Sequence, residues 1–333
     1  MAQAPATLPK PFSSLLSSQA PAIADLKPRE RTIDLGGNNV STLEICNDKI
    51  LLGFRGGSIN IFSSKDLRCE TVIEPCRHRA AVSSLRCTCI EIIAGYVDGS
   101  VCVWDIQSQE FTDGIMHEDL MRDKGVPRLG WTKPYVIVAK NSIIGIYVQG
   151  IDGLFHHVRE WDSKVPSISS VDVHSNTSCI IVHSLACGKV HVFRFNGNRV
   201  WTTEENIKIS VVGVHYDHVV VTRTDGGFSI RIYHIKTGRC VKEIKGHAYA
   251  AGFTDDKSRQ LCDIVASSSP EEISVWSLKT AVGPSSTGKP TSIPDPHVTL
   301  MQGSFVKHGW PRLGSNFLVV HSDNKVSVVD FGS

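Results

Sequence analysis

The chain has 333 residues, 41% of them hydrophobic and 20% charged, with 35 Lys+Arg balanced by 33 Asp+Glu. That balance excludes a disordered polyelectrolyte and the basic excess on which nucleic-acid binding leans. The longest apolar runs, at 90–97 and 219–221, fall far short of the ~20 residues that cross a bilayer, so no membrane span is expected.

Residues 1–28 are rich in Ala, Pro and Ser, with one apolar cluster at 11–16, and read as a disordered arm. They lack the early positive charge and compact apolar core of a secretory signal, so a cytoplasmic and/or nuclear location is expected. The ten cysteines are scattered through strand-like runs and are expected to be reduced, small and buried. Cys87, Cys89 and Cys102 do not complete a zinc ligand set.

From residue 57 onwards one pattern recurs seven times: a turn residue, then alternating β-branched residues ending in a large side chain. The copies end at Phe62, Trp104, Tyr147, Phe193, Tyr233, Trp276 and Val329, at spacings of 42, 43, 46, 40, 43 and 53 residues. Six of the seven follow an almost wholly apolar strand, at 50–54, 90–96, 135–139, 179–183, 218–222 and 317–321. Near-continuous apolarity means burial on both faces, which stacked sheets require and a lone half-solvated sheet does not. The sixth copy, 261–265, is the least regular. Pro127-Arg-Leu-Gly130 recurs as Pro311-Arg-Leu-Gly314 at nearly the same offset from a copy's end, and is read as an inner strand ending at a Gly turn.

A strand-only period of roughly 40 to 45 residues is the signature of propeller blades. The expected fold is therefore all-β: a seven-bladed β-propeller over 29–333, with a Ser/Pro/Gly insert loop at 279–296. The last copy ends at Val329 and leaves its blade one strand short. Thr32-Ile-Asp-Leu35, before Gly36-Gly37, is the expected donor: an N-terminal strand completing the last blade removes the open edge.

The strand Val101-Cys-Val-Trp-Asp105 after Asp98-Gly99, the similar Val275-Trp276, and Gly246-His247 resemble the WD-repeat β-propellers over roughly residues 30–333. Trp161-Asp162 is read as part of a linker. The resemblance implies that the loops from each outer strand to the next blade, and those between second and third strands, share one docking face. On that face the expected partner-binding residues are Arg55, Arg77, His78, Arg79, Asp98, Lys140 and Asp225. The run Cys76-Arg-His-Arg79 is the most concentrated positive group, and Arg forks pair well with carboxylates or phosphates.

Catalytic motifs do not emerge. Gly283-Pro-Ser-Ser-Thr-Gly-Lys289 matches seven places of a phosphate-binding loop, but Pro290 stands where Ser or Thr should ligate magnesium. His156 and His157 are adjacent on a strand and point to opposite faces. An F-box does not fit the arm, and Trp104-Asp105 is followed by Ile106-Gln107 rather than a residue and Arg. The expectation is a non-catalytic interaction scaffold or adaptor that recognises acidic or phosphorylated peptides of other proteins. It would use no cofactor or metal, bind no nucleic acid directly, and act as a monomeric propeller within a complex. The alternative is a hydrolase-like propeller enzyme with its site in the central channel.

Overall fold

The computed structural model describes residues 29–46, 48–75, 80–88, 90–115, 125–203, 209–215, 217–223, 229–245, 251–252, 264–268, 272–277, 298–302, 312–313, 317–322 and 325–330. The arm 1–28 and the insert 279–296 lie outside them. A first strand, β1 (Arg29–Asp34), precedes the blades. The first blade is β2 (Val40–Cys46), β3 (Lys49–Phe54), β4 (Ile59–Ser63) and β5 (Cys69–Ile73). The second is β6 (Val82–Cys87), β7 (Glu91–Tyr96), β8 (Val101–Asp105) and β9 (Phe111–Gly114). The third is β10 (Arg128–Thr132), β11 (Tyr135–Lys140), β12 (Ile143–Gln149) and β13 (Phe155–Asp162). The fourth is β14 (Ile168–His174), β15 (Cys179–Ser184), β16 (Lys189–Arg194) and β17 (Arg199–Thr202). The fifth is β18 (Ile209–His215), β19 (His218–Arg223), β20 (Ser229–His234) and β21 (Cys240–Lys245). The sixth is β22 (Ala251–Gly252), β23 (Ile264–Ser268), β24 (Glu272–Ser277) and β25 (Val298–Gln302). The seventh holds β26 (Arg312–Leu313), β27 (Phe317–Ser322) and β28 (Lys325–Asp330).

Each of the first six blades is a four-stranded meander, and the seventh has the order β1-β28-β27-β26. The N-terminal strand is thus the outer strand of the C-terminal blade, paired antiparallel from Arg29 opposite Asp330 to Asp34 opposite Lys325. The innermost strands β2, β6, β10, β14, β18, β22 and β26 touch in succession, and β26 touches β2, so the ring closes.

The apolar second strands owe their character to this stacking. Alternate residues point to opposite faces of a strand, and here each face meets a different blade. Ile50 and Leu52 enter the core shared with the seventh blade, whereas Leu51 enters the core shared with the second. Ile92 and Ala94 face back to the first blade while Ile93 faces forward to the third. In the third and fourth blades Val136 and Val138 oppose Ile137 and Ala139, and Ile180 and Val182 oppose Cys179 and Ile181. Every large side chain at 62, 104, 147, 193 and 233 packs into the seam with the preceding blade. Between third and outer strands a register shift falls just before each of these five residues, a bulge that twists the outer strand away.

Outer strands also clasp the turn of the following blade. Arg31 of β1 donates to the carbonyls of Ser64 and Lys65. Gln109 reaches Thr71 Oγ1 at 3.2 Å, Phe155 N donates to Asp113 at 2.9 Å, and Trp201 Nε1 donates to Ile235 O at 2.6 Å. The Trp161 ring lies beside Gly197.

Three sequence readings need correction. Trp161-Asp162 closes β13 rather than lying in a linker, and stands where the outer strand covers the next blade. Gly130 is inside the innermost strand β10, not at a turn, because pairing with β11 continues through it, from Arg128 opposite Ala139 to Thr132 opposite Tyr135. Cys69 and Cys240 are exposed, since both begin outer strands.

Candidate partner-binding face

Neighbouring strands within each sheet are antiparallel, so second-to-third turns and blade-to-blade connections emerge at the same end of the ring. Main-chain bonds tie them together there: Arg55 N to Asn39 O at 3.1 Å, Val97 N to Ala81 O at 2.9 Å, and Ile168 N to Asn141 O at 2.8 Å.

The first such turn carries Arg55, which is exposed. It closes through Phe54 N to Ser58 O and Gly57 N to Phe54 O, with Gly57 at φ +93°. A Cβ on Gly57 would lie 2.8 Å from Ala80 O and 3.1 Å from the Pro75 side chain. Only glycine suits both the backbone and the gap. Arg77, His78 and Arg79 lie outside the described residues, yet Pro75 and Ala80, on either side of 76–79, both abut the turn that presents Arg55.

The second turn repeats this design with a different outcome. Asp98 is exposed, and its Oδ1 accepts from Ser100 N at 2.9 Å and Ser100 Oγ at 2.7 Å. Gly99 has φ +94°, and a Cβ there would stand 3.0 Å from Lys140 Nζ. Lys140 is therefore not presented to solvent: only 2% exposed, it ends β11 beneath the Asp98–Gly99 turn of the preceding blade. Of the expected residues, the structure brings together Asp98 and Lys140, leaves Arg55 on the adjacent turn of the first blade, and does not describe Asp225.

Sequence reasoning missed a serine at the start of the inner strands. Register shifts fall at 40/42, 82/84 and 168/170, and the skipped residues are Ser41, Ser83 and Ser169. Ser41 Oγ stands 2.6 Å from Val82 O of the next blade and 3.0 Å from Gly53 O of its own. Ser83 Oγ repeats this with Pro127 O at 3.3 Å and Gly95 O at 3.0 Å. The third blade has Pro127 and Arg128 where the second has Ser83 and Ser84, no bulge against β11, and an Arg128 guanidinium donating to Ser83 O at 3.3 Å. Burial lowers the Arg128 pKa. The dipeptides Val40-Ser41, Val82-Ser83, Ile168-Ser169 and Ile209-Ser210 were the available signal.

Further down the inner strands, Glu44 and Arg86 hold equivalent places in adjacent blades and form an ion pair at 2.9 Å. Arg86 also reaches past glycine-bearing β10 to Val171 O at 3.4 Å. These charges neutralise one another, and Arg86 also binds main chain, so the pair links the first, second and fourth blades.

The fourth blade buries two imidazoles. His183 Nδ1 lies 3.0 Å from Ser169 Oγ, and His191 Nδ1 lies 3.0 Å from Thr202 Oγ1. Desolvation lowers both pKa values to about 4, helped for His183 by His191 and for His191 by Arg199 and Lys189. Both are neutral at pH 7.

Comparison with known proteins agrees with this architecture. The family described as the anaphase-promoting complex subunit 4 WD40 domain matches residues 173–257. No curated protein sequence matches the chain. A chain of the crystal structure of the mitotic checkpoint complex superposes with TM-score 0.70 at 12% identity, covering 100% of this chain and 97% of that one. Hsv2 of Kluyvelomyces marxianus superposes with TM-score 0.58 at 15% identity, covering 85% of this chain and 89% of that one. With seven four-stranded sheets in a closed ring and two superposing solved structures, the chain has the β-propeller fold, and residues 173–257 are similar to a WD40 domain.

Proposed function

We propose that the ring is a non-catalytic protein-interaction scaffold whose loop face captures acidic or phosphorylated peptide segments through Arg55, Arg77 and Arg79. The observation that supports this reading is that Pro75 and Ala80, the described residues flanking 76–79, both lie against the Gly57 turn that carries the exposed Arg55. Arginine forks and phosphate or carboxylate groups form bidentate, charge-assisted bonds, and in a nearly neutral chain such a group is a local feature. Likeness to a chain from a multi-protein complex supports the scaffold reading. The Glu44–Arg86 pairing weighs against an enzyme in the channel. The reading sets the protein in the cytoplasm or nucleus, as a single ring within a larger assembly, with 1–28 as an arm outside the ring.

The test uses the full chain and a library of phosphoserine peptides with their unphosphorylated and glutamate counterparts. Binding of phosphorylated or glutamate peptides is expected to weaken at least tenfold in Arg77→Glu/Arg79→Glu and in Arg55→Glu, and to fall with added salt. Unchanged melting would show the variants folded. Retained binding in both variants would refute the reading.

A further inference from the structure

The opposite face is formed by first-to-second and third-to-outer turns, and its blades can be compared position by position. In each of the first five blades a main-chain bond joins the two turns: Ser64 N to Asp48 O, Ile106 N to Ile90 O, Gln149 N to Pro134 O, Phe195 N to Ser178 O and Ile235 N to Asp217 O. Each third-to-outer turn also has one residue at positive φ: Leu67, Gln109, Gly153, Gly197 and Gly238. These marks align the turns without reference to any other protein.

Against that alignment the seam of the second and third blades stands out. The acceptor position holds Asp48, Pro134, Ser178 and Asp217 elsewhere but Ile90 in the second blade. The residue after the positive-φ position is Arg68, Glu110, Asn198 or Arg239 elsewhere but Leu154 in the third. Two residues before it stand Lys65, Gln107, Phe195 and Lys236 in the other blades and Ile151 in the third, whose turn is one residue longer, from the joining main-chain bond to the positive-φ residue, than in the first, second and fifth. Ile151 is fully exposed, and Ile90 and Leu154 are about half exposed. The residue after the positive-φ position is polar in every sister blade, and the acceptor position is polar or Pro, so the turns themselves do not require Leu154 or Ile90. Exposed aliphatics gathered at one place mark a binding surface more often than scattered ones do.

A side-chain bond joins the two turns. Gln149 Nε2 donates to Glu91 Oε1 at 2.6 Å and to Gly153 O at 3.1 Å, so Ile90 on one turn and Ile151 and Leu154 on the other share one stretch of surface. Its rim is acidic. Asp105 caps the turn beside Ile106 through Gln107 N and Ser108 N, Glu110 follows it, and Asp113 binds Phe155 N across the seam. Asp152 binds Leu154 N and faces His156 at 3.0 Å. Lys133 is the cation that acts on Glu91.

We infer that this seam is a second docking surface, separate from the loop face, and that it takes a peptide strand carrying alternating aliphatic and basic residues. The aliphatics would cover Ile90, Ile151 and Leu154 while Lys or Arg side chains meet Asp105, Glu110 and Asp152. The surface does not depend on the reading of the loop face, which recognises the opposite charge.

The experiment titrates the full chain into labelled peptides of alternating Leu and Lys, Leu and Glu, or Ser and Lys, and follows anisotropy. Tighter binding of the Leu/Lys peptide, by at least tenfold over the other two, is expected. Ile151→Ser/Leu154→Ser should remove that preference, and Glu110→Lys should weaken it severalfold, while Leu185→Ser on the other face leaves it unchanged. Equal binding of all three peptides, or an unaltered preference in Ile151→Ser/Leu154→Ser with an unchanged melt, would overturn the inference. So would dimerisation of the chain that the double variant abolishes, which assigns the patch to a second copy, or binding to phosphatidylserine vesicles lost in the same variant, which assigns it to a membrane.

Discussion

The seam between the seventh and first blades and the seam between the first and second bury the same kind of core, yet the blades that lead into them are completed differently. In the latter, β5 runs on to β6 through one short connection, and Leu51, Ile59 and Ile61 face Val82, Leu85 and Ile92. In the former, Val319, Val326 and Val328 face Leu43, Ile50 and Leu52, but the blade is completed only when β1 pairs with β28 from the far end of the chain. Both seams are crossed by a short covalent link, 35–39 before β2 and 74–81 before β6; what the seventh blade lacks is a third-to-outer turn, and six residue pairs between β1 and β28 stand in its place. Local connection costs little chain entropy, whereas bringing the two ends together must be offset by backbone pairing. The ring's weak point is therefore topological rather than compositional.

The largest expected effect comes from removing that pairing. A chain lacking residues 1–36 loses the outer strand of its last blade and exposes the β28 edge, and should melt ~10 °C or more below the full chain in a calorimetric scan. An ordinary seam is broken next most strongly at Gly57. Gly57→Val meets Ala80 O and a left-handed backbone together, and should cost about 3 kcal/mol in denaturant unfolding, with the first and second blades losing amide protection first.

Acid separates the fourth blade from the rest. His183 and His191 stay neutral in the fold down to about pH 4, and His183 Nε2 is buried with no partner among the described residues. Unfolded histidines take up protons near pH 6.5. Stability is thus full above that pH and falls as pH drops from 6.5 towards 4, by about 1.4 kcal/mol per pH unit for each histidine. Melting from pH 7 to 4.5 should show this slope, flattened in His183→Gln/His191→Gln. The smallest effects belong to the serine staples: Ser41→Ala and Ser83→Ala should each cost about 1 kcal/mol, with Ser41, at 2.6 Å from its neighbour's carbonyl, the more costly. Equal or zero costs by urea titration would show that packing alone holds these seams.

What could be read from the residues follows from the same physics. Runs such as Ile50-Leu-Leu-Gly-Phe54 and Cys179-Ile-Ile-Val-His183 announce two-sided burial, so blades, their number and the need for a closing strand were legible. The serine staples were not, because a two-residue word such as Val82-Ser83 carries meaning only once the bulge that frees the serine is known. Lys140 misled because a charge at a strand end ordinarily faces water; here a neighbouring blade's Gly99 turn folds over it. Arg55 could be placed on the rim, but that Pro75 and Ala80 share its turn depends on contact between blades 1 and 2.

Closure is tested most directly by peptide-level hydrogen exchange across β28 in the full chain and in the chain lacking residues 1–36. Val326 and Val328 are buried and paired with Ile33 and Arg31, so the account predicts slow exchange in the full chain and exchange at least tenfold faster, at the amides facing β1, after truncation. Equal protection of β28 in both chains would contradict it.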